Sequence, residues 1–372
     1  MMFLAVMVVG SNLPDSDLLY SLGSDDKLPY LLEHRGHTHT VVGALIASMV
    51  MLIVCRVWQR LRDTSMTSRD WVWLTALAFV APLLHVAMDA LNSYGVHPWW
   101  PVDNRWFYGD AVFIVEPLFW AAAAPLVFLL KSYVGRGFVV LCLVAALYLA
   151  FSTGIVAFGS IVTYGVLAVT MLALGRFAAP RAALAAALGV CAAIGIGFAV
   201  AGHQAVARVD AAAAQLAGWS TLDRVLTPLP MNPFCWEVIL VQAQGDRYAL
   251  RRASASITAS SQCPSLVGDQ TITAPLQTIA APGTPFVRWR GEIVASREGL
   301  RRMAGTSCEV AAFLRFARAP WFSENAQRRF VGDLRFDRET ELGFAELDVT
   351  RSSRCPSYVP PWTPPRQDLI AD

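Results

Sequence analysis

Residues 41–58 read VVGALIASMVMLIVCRVW, an apolar run whose single charge is Arg56. About 20 mostly apolar residues cross the hydrocarbon core of a bilayer as an α-helix, so this stretch predicts a membrane-spanning helix. The composition of the 372-residue chain agrees, because 16% of its residues are charged, against roughly 25% in soluble domains. The charge deficit is concentrated in residues 41–204, and the sequence therefore assigns that region to a membrane.

Similar apolar runs predict about six spanning helices. They are Val41–Trp58, Trp71–Leu91, Ala111–Leu130, two helices within Phe138–Leu174 separated near Gly154, and Ala182–Ala201. The predicted fold is a mainly α-helical polytopic membrane domain with a C-terminal α+β extracytoplasmic domain. The predicted division is a motif-bearing segment 1–40, a transmembrane domain 41–204, and a soluble domain 205–372 with a proline-rich tail.

Basic residues in short loops set the predicted orientation, since cytoplasmic loops carry an excess of Lys and Arg. These residues lie at the end of the first predicted span or in the loop after it (Arg56, Arg60, Arg62 and Arg69), after the third span (Lys131 and Arg136) and after the fifth (Arg176 and Arg181). With six spans counted, the three loops share the cytoplasmic face of a bacterial inner membrane. The N-terminal segment and the C-terminal domain are then expected on the periplasmic, extracytoplasmic side.

A histidine-rich stretch precedes the first span: residues 33–40 read EHRGHTHT and hold half of the chain's six histidines. Neutral imidazole is the commonest protein metal ligand near neutral pH. Two carboxylates lie upstream, and a His-x-x-x-Asp pair shares one face of the second predicted span, near its outer end. The predicted topology brings all of these groups to one face of the membrane. The candidate metal ligands are Asp15, Asp17, His34, His37, His39, His85 and Asp89.

Each of these motifs also has a structural explanation. The two N-terminal aspartates suit helix N-caps, and the histidines suit an exposed polar turn. The pair His85 and Asp89 could simply tighten helix packing, although ionisable groups at this depth in a membrane usually have functional roles. His34, His37 and His39 cannot all bind one ion in regular helix geometry, so one of them is expected to orient a ligand instead.

Three further ionisable residues are candidates for the same site. Arg105 could bind a phosphate or carboxylate through two parallel hydrogen bonds, and Arg35 could stabilise a developing oxyanion. Arg105 could equally pair with Asp103 or Asp110. Glu116 is either a further ligand or a hydrogen-bonded structural acid.

Residues 205–372 predict a small α+β domain. A hairpin is predicted from the strands Phe234–Gln242 and Arg247–Arg251. A second pair of strands is predicted at Arg328–Phe336 and Gly343–Val349, and helices are predicted at Arg297–Met303 and Glu309–Arg318. The prolines of residues 356–365 predict an extended tail. Four cysteines outside the cytoplasm suggest two disulfides, with the pairing open and four free thiols as the alternative: Cys235, Cys263, Cys308 and Cys355.

The sequence lacks the short motifs of several other chemistries. It has no Gly-x-Ser-x-Gly, His-Glu-x-x-His, Walker, Cys-x-x-Cys or Gly-x-Gly-x-x-Gly pattern. Its basic residues form no dense run with interleaved aromatics, so no nucleic-acid partner is expected.

The order of the N-terminal motifs resembles the YdjM-like inner-membrane family. The resemblance rests on NLPDSD at residues 12–17, HRGHTHT at 34–40, His85 to Gly95, and DAVFIVEP at 110–117. It is strong over residues 1–120 and loose beyond them. It implies a metal-dependent hydrolase, distantly similar to zinc-dependent phospholipase C and related single-strand nucleases. It also implies that Asp15, Asp17, His39, His85 and Asp89 are the best ligand candidates, with His34 and His37 as further ones.

Two features depart from the family pattern. Family members usually begin earlier, with a helix carrying a Thr-His pair, so one ligand is expected to be missing from this chain or its start codon to be misassigned. The acid that precedes Pro117 is Glu116 where the family has Asp, which changes the geometry available to it.

The leading functional hypothesis is a membrane-bound hydrolase that uses one or two divalent ions, with zinc favoured by the mixed His and Asp ligands. It would act on a phosphoester or lipid-type substrate at the outer face, with membrane lipids as its surroundings. Asp17 and Asp89 are candidate bases, and Arg35 and Arg105 are candidates to stabilise the developing oxyanion. The alternative is a non-catalytic membrane protein with a structural metal and an outer domain that binds a partner or lipid. A transporter is disfavoured, because the two halves show no corresponding pair of broken helices.

Overall fold

The structure is a computed structural model that describes residues 2–21, 26–259, 263–264, 274–279, 281, 283–324, 327–338, 341–350 and 355–371. The helices of its first part are α1 (Met2–Gly10), α2 (Lys27–Glu33), α3 (Val41–Leu61), α4 (Ser68–Asp89), α5 (Pro117–Ala122), α6 (Leu126–Leu129), α7 (Tyr133–Thr153), α8 (Phe158–Phe177) and α9 (Pro180–Ala213). Two short 3₁₀ helices, Pro14–Ser21 and His37–His39, flank α2.

The predicted membrane character is confirmed. Among the described residues, five helices are long and apolar enough to cross a bilayer: α3, α4, α7, α8 and α9. A sixth crossing is counted if α1 and the 3₁₀ helix after it, bent by 54°, form one broken span. Between 17% and 28% of the most apolar window of each long helix is buried inside the protein, which leaves broad apolar faces for lipid.

The predicted third span was wrong as a continuous helix. Residues 111–130 instead contain the two short helices α5 and α6, neither of them long enough to span. Pro125 lies between them and cannot donate to a helical hydrogen bond, so it interrupts the helix that the apolar composition suggested. Gly175 near the end of α8 packs against Pro125, with room for no side chain, and holds the broken segment inside the helical bundle.

The broken segment nevertheless joins the two faces of the bundle. Short connections make α7, α8 and α9 run alternately up and down, and the last third of α9 meets the C-terminal sheet, where Gly202 packs on Trp236. The loop after α4 meets the same sheet, because the Ser93 hydroxyl lies 3.0 Å from that of Thr227. The chain must therefore pass from this face to the far face between α4 and α7, through α5 and α6.

The C-terminal region contains two antiparallel sheets, as the sequence predicts. Its elements are β1 (Ser220–Leu229), β2 (Asn232–Gln244), β3 (Arg247–Ser256), β4 (Val287–Ser296), α10 (Arg297–Thr306), α11 (Cys308–Phe313), β5 (Pro320–Glu324), β6 (Arg329–Asp333), β7 (Glu346–Asp348) and α12 (Gln367–Ile370). The strand orders are β1-β2-β3-β4 and β5-β6-β7. The predicted hairpin is confirmed in the register Gln244↔Arg247, with Gly245 at a positive φ of 57° in the turn.

Two disulfides are present among the described cysteines, as the sequence suggested, and the structure decides their pairing. Cys235 bonds Cys263, and Cys308 bonds Cys355. The first joins β2 to the segment after β3. The second joins the start of α11 to the proline-rich tail, which runs as irregular chain from Cys355 to α12.

The N-terminal segment packs into the C-terminal region. Leu28, Leu31 and Leu32 of α2 are at most 1% exposed and belong to one apolar core with Trp321 and Trp362. Aromatic side chains dominate such a core because each buries a large area. The division into domains at residues 40 and 204 stays a prediction; the helix α9 itself continues to Ala213.

Candidate metal centre

Three separate parts of the chain supply the central cluster. Asp15 comes from the 3₁₀ helix after α1, His39 from the turn before α3, and His85 and Asp89 from the last turns of α4. The i,i+4 spacing in α4 places the last two side chains on one helix face. The cluster therefore lies at the adjoining ends of two membrane-spanning helices.

Local hydrogen bonds hold His39 at the entrance to α3. Thr40 is the N-cap of that helix, and its hydroxyl accepts a hydrogen bond from the Gly43 amide at 2.7 Å. A side chain at Gly43 would come within 2.3 Å of the His37 carbonyl oxygen, so this close approach requires glycine. The His39 amide in turn donates to the Gly36 carbonyl at 3.0 Å.

Five of the six distances between the ligand atoms of the cluster are close to the edges of a tetrahedral zinc site. The Nε2 atom of His39 lies 3.2 Å from that of His85, 3.4 Å from Asp15 Oδ1 and 3.2 Å from Asp89 Oδ2. The Nε2 atom of His85 lies 3.5 Å from the same oxygen of Asp15 and 3.4 Å from that of Asp89. Zinc distances of about 2.0–2.2 Å to nitrogen and oxygen correspond to tetrahedron edges of about 3.3–3.6 Å. The cluster therefore fits a zinc-sized cation.

The outer ring nitrogens of both histidines have hydrogen-bond acceptors. Nδ1 of His85 donates to the Ser11 carbonyl oxygen at 2.7 Å, and Nδ1 of His39 lies 3.1 Å from Asp17 Oδ2. A proton on each Nδ1 leaves two Nε2 lone pairs that face each other at 3.2 Å. Such lone pairs repel unless a cation or a proton lies between them. This arrangement, in which an acceptor fixes the tautomer of each imidazole, is typical of metal-binding histidines.

Asp17 collects four contacts on one buried carboxylate that is 2% exposed. It accepts hydrogen bonds from the Arg35 amide at 2.8 Å and from the Thr38 hydroxyl at 2.9 Å. It also lies 3.1 Å from Nδ1 of both His34 and His39. Asp15, Asp17 and His34 form a second group that could hold an ion, sharing Asp15 with the first.

Arg35 fixes the orientation of Asp89. Its guanidinium lies 3.0 Å from Asp89 Oδ1, donates to Asn92 Oδ1 at 2.9 Å, and stacks over the Tyr94 ring at 4.7 Å. The other oxygen of Asp89 is thereby turned toward the cluster. Asn92 was not among the predicted site residues. The signal in its sequence position is an amide three residues after Asp89, in a loop that brings it back to Arg35.

The carboxylates around His39 give the metal-free cluster a strong affinity for a proton. Burial by itself disfavours the imidazolium, but hydrogen bonds to Asp15, Asp17 and Asp89 outweigh it and raise the pKa of His39 to about 10. A site that attracts one positive charge so strongly is also suited to a divalent cation. Metal and proton compete for the same Nε2 atom.

The cluster is accessible from one side. The His39 side chain is fully buried, whereas the side chains of His85, Asp89 and Asp15 are 16%, 18% and 38% exposed. A small molecule would therefore reach the cluster past Asp15.

Two of the predicted residues, His37 and Arg105, make their described contacts elsewhere. His37 packs between Trp100 and Trp362, at 4.7 and 4.8 Å between ring centroids. The exposed Arg105 pairs with Asp103 at 2.7 Å, one of the partners that the sequence allowed.

Glu116 acts as a structural acid in the described contacts. It caps α5 by accepting from the Leu118 amide at 3.0 Å, and it accepts from the Met231 amide at 3.2 Å. The residue thus ties the β1–β2 turn to the broken span.

Comparison with known proteins supports the resemblance inferred from the motifs. Residues 2–160 match the model of the YdjM inner membrane protein family. The uncharacterized protein YfhP of Bacillus subtilis (strain 168) is 31% identical over 105 residues, which cover 27% of this chain and 29% of YfhP. No solved structure matches the chain. All residues of the cluster, from Asp15 to Asp89, lie inside the part matched by the family model, whereas the C-terminal sheets lie outside it.

Proposed function

We propose that this multi-pass membrane protein is a metal-dependent hydrolase that cleaves a phosphoester in a lipid or lipid-linked molecule. One observation carries the proposal: two imidazole Nε2 atoms and two carboxylate oxygens converge at the ends of two spanning helices, with the nitrogen–nitrogen distance and all four nitrogen–oxygen distances between 3.2 and 3.5 Å. Nitrogen and oxygen donors of this kind favour zinc over magnesium or calcium.

The surrounding residues are suited to hold such a site in one protonation state. The Ser11 carbonyl and the Asp17 carboxylate keep both histidines with Nε2 available, and Arg35 keeps one oxygen of Asp89 turned inward. A bound zinc ion would lower the pKa of water and polarise a phosphoryl oxygen. Catalysis requires a coordination position for water, so in this proposal His39, His85 and Asp89 would hold the ion, and Asp15, the most exposed of the four, would face the bound water and accept its proton.

The position of the cluster favours a lipid-type substrate. The cluster lies at the start of α3 and the end of α4. In the orientation predicted from the sequence, these are the outer ends of the two helices, at the depth of the phosphate headgroups of membrane lipids. Basic residues in the loop after α3 favour the opposite end as the cytoplasmic one. We therefore place the cluster and the C-terminal region on the periplasmic side.

The first test is the metal content of the detergent-purified protein, measured by elemental mass spectrometry. We expect about one or two zinc ions per chain in the wild type, lost in the His39→Ala/His85→Ala variant. His203→Ala is the matched control, since this histidine lies on α9 and belongs to neither group of candidate ligands. If the zinc-supplied wild type binds no metal, or His203→Ala loses as much as the double variant, the proposal is wrong.

A structural metal is the second candidate function, and a specific observation favours it. The four protein ligands of the cluster would complete a tetrahedral site, as in structural zinc sites, whereas catalytic sites keep a position open. The visible spectrum of the Co²⁺-loaded protein separates the two. Inorganic phosphate should change that spectrum if a position is open to substrate, and leave it unchanged if the site is closed.

A further inference from the structure

The C-terminal tail packs directly on the segment that carries the candidate ligands. We call residues 32–39 the ligand loop and residues 355–371 the strap. Trp362 of the strap is fully buried, and its indole Nε1 donates a hydrogen bond to the Leu32 carbonyl oxygen at 2.8 Å. These residues are 330 positions apart in the chain.

The indole ring fills the space beneath the middle of the ligand loop. It stacks on His97 with 3.8 Å between ring centroids and an interplanar angle of 22°, and it lies 4.8 Å from the ring of His37. A methyl group added at Gly36 would come within 3.1 Å of Cζ2 of Trp362, so the backbone of the loop rests on the ring.

The part of the loop held by Trp362 is the part that orients the cluster. Gly36 is followed three residues later by His39, whose amide donates to the Gly36 carbonyl. It is preceded by Arg35, which adopts a left-handed backbone with φ of 60° and pairs with Asp89. Such a conformation is unfavourable for a residue with a side chain and persists when its surroundings enforce it. Trp362 contacts the loop on one side, and Asp17 on the other.

The strap is itself fixed by the C-terminal region. The Arg315 guanidinium donates to the Trp362 carbonyl at 3.0 Å, and the Thr363 amide donates to the Asn104 carbonyl at 2.9 Å. The disulfide between Cys308 and Cys355 fixes the start of the strap beside α11. The indole position is therefore set in part by Arg315 and Cys308, which lie outside the part of the chain that matches the family model.

We propose that Trp362 is a positioning residue for the metal centre, and that the strap completes a site whose ligands all come from residues 15–89. The inference rests on the proposed metal binding. With Trp362 in place, the ligand loop stays in the conformation that presents His39 and orders Arg35. Without it, only a fraction of molecules holds that conformation, and the apparent dissociation constant rises by the inverse of that fraction.

The test is a Co²⁺ titration of the full-length protein in detergent, followed by the visible absorption of the metal. Trp362→Phe keeps an aromatic ring but leaves the buried Leu32 carbonyl without its donor, and we expect about tenfold weaker binding. Trp362→Ala should bind more weakly still, with altered absorption bands because the coordination is distorted. Trp321→Phe is the matched control, since it removes an equally buried indole whose N–H has no described partner.

The outcomes separate this inference from the proposed function. If the wild type binds no Co²⁺, both are wrong. If the wild type binds Co²⁺ and both Trp362 variants match it in affinity and spectrum, only the positioning role is wrong. Equal weakening by Trp321→Phe would also overturn it, since that result would mean a general loss of stability. If Trp362→Ala does not fold, the comparison of the two Phe variants decides.

The two disulfides provide an independent pair of variants. Replacing Cys308 and Cys355 by serine frees the start of the strap and should weaken Co²⁺ binding several-fold. Replacing Cys235 and Cys263 by serine removes a disulfide that does not involve the strap, and should leave binding unchanged. Equal effects of the two double variants would contradict the role of the strap.

Discussion

Replacing Asp17 by asparagine is expected to weaken zinc binding about 10- to 100-fold, the usual effect of losing a group that orients a metal ligand. The carboxylate holds Nδ1 of His39, accepts from the Arg35 amide and the Thr38 hydroxyl, and contacts His34, all within 3.1 Å. Asparagine has nearly the same shape but carries no charge and only one acceptor oxygen. The expected loss of binding free energy is about 1.4–2.7 kcal/mol. Replacing several charged hydrogen bonds by neutral ones costs an amount in this range.

The assay is competition of the purified protein against a zinc chelator of known affinity, combined with metal stoichiometry. Asp103→Asn is the matched control, because it removes a partly exposed carboxylate that is paired with Arg105 outside the cluster. The reasoning would be refuted by an Asp17→Asn variant that binds zinc as tightly as the wild type. A drop in stoichiometry from two ions to one at unchanged affinity would instead identify Asp17 as a ligand in the second group of Asp15, Asp17 and His34.

Three further predictions concern the same centre and its orientation. The pKa of His39 is raised to about 10, so below that pH a proton competes with the metal for this residue, and Co²⁺ affinity should rise from pH 6 to pH 8. The contribution of His39 is about tenfold per pH unit. Co²⁺ titrations at three pH values check this, and an affinity that does not change with pH would contradict it. Arg35→Lys should weaken Co²⁺ binding about tenfold, since one ammonium cannot reproduce the planar guanidinium that bridges Asp89 and Asn92. On intact spheroplasts, a membrane-impermeant maleimide should label Glu298→Cys and spare Thr64→Cys; the reverse pattern would invert the proposed topology.

The sequence was sufficient to predict those features that depend on interactions between residues close together in the chain. The apolar run from Val41 requires a spanning helix because unpaired backbone groups are too costly in hydrocarbon. The spacing of His85 and Asp89 places them on one helix face without knowledge of the fold. The turn at Gly245 and the strands on either side of it could be predicted from residue type and pattern, and the structure confirms them.

Prediction failed where a local pattern was ambiguous. Residues 111–130 are apolar enough for a span, yet Pro125 divides them into two short helices. Hydropathy is an average over the side chains of a segment, so it is not affected by the backbone N–H that Pro125 lacks. The cysteine count suggested two disulfides, but their pairing depends on which loops the sheets bring together.

The sequence by itself determined a membrane helical bundle, a C-terminal α+β region, and the set of Asp and His residues from which the candidate centre is built. Only the tertiary structure decided that Asp15, His39, His85 and Asp89 meet while His37 does not. It alone placed Asn92 against Arg35 and Trp362 beneath the ligand loop. The physical reason is that helix and strand periodicity act over a few residues. The packing that selects among candidate ligands joins residues as many as 330 positions apart, and no local pattern encodes it.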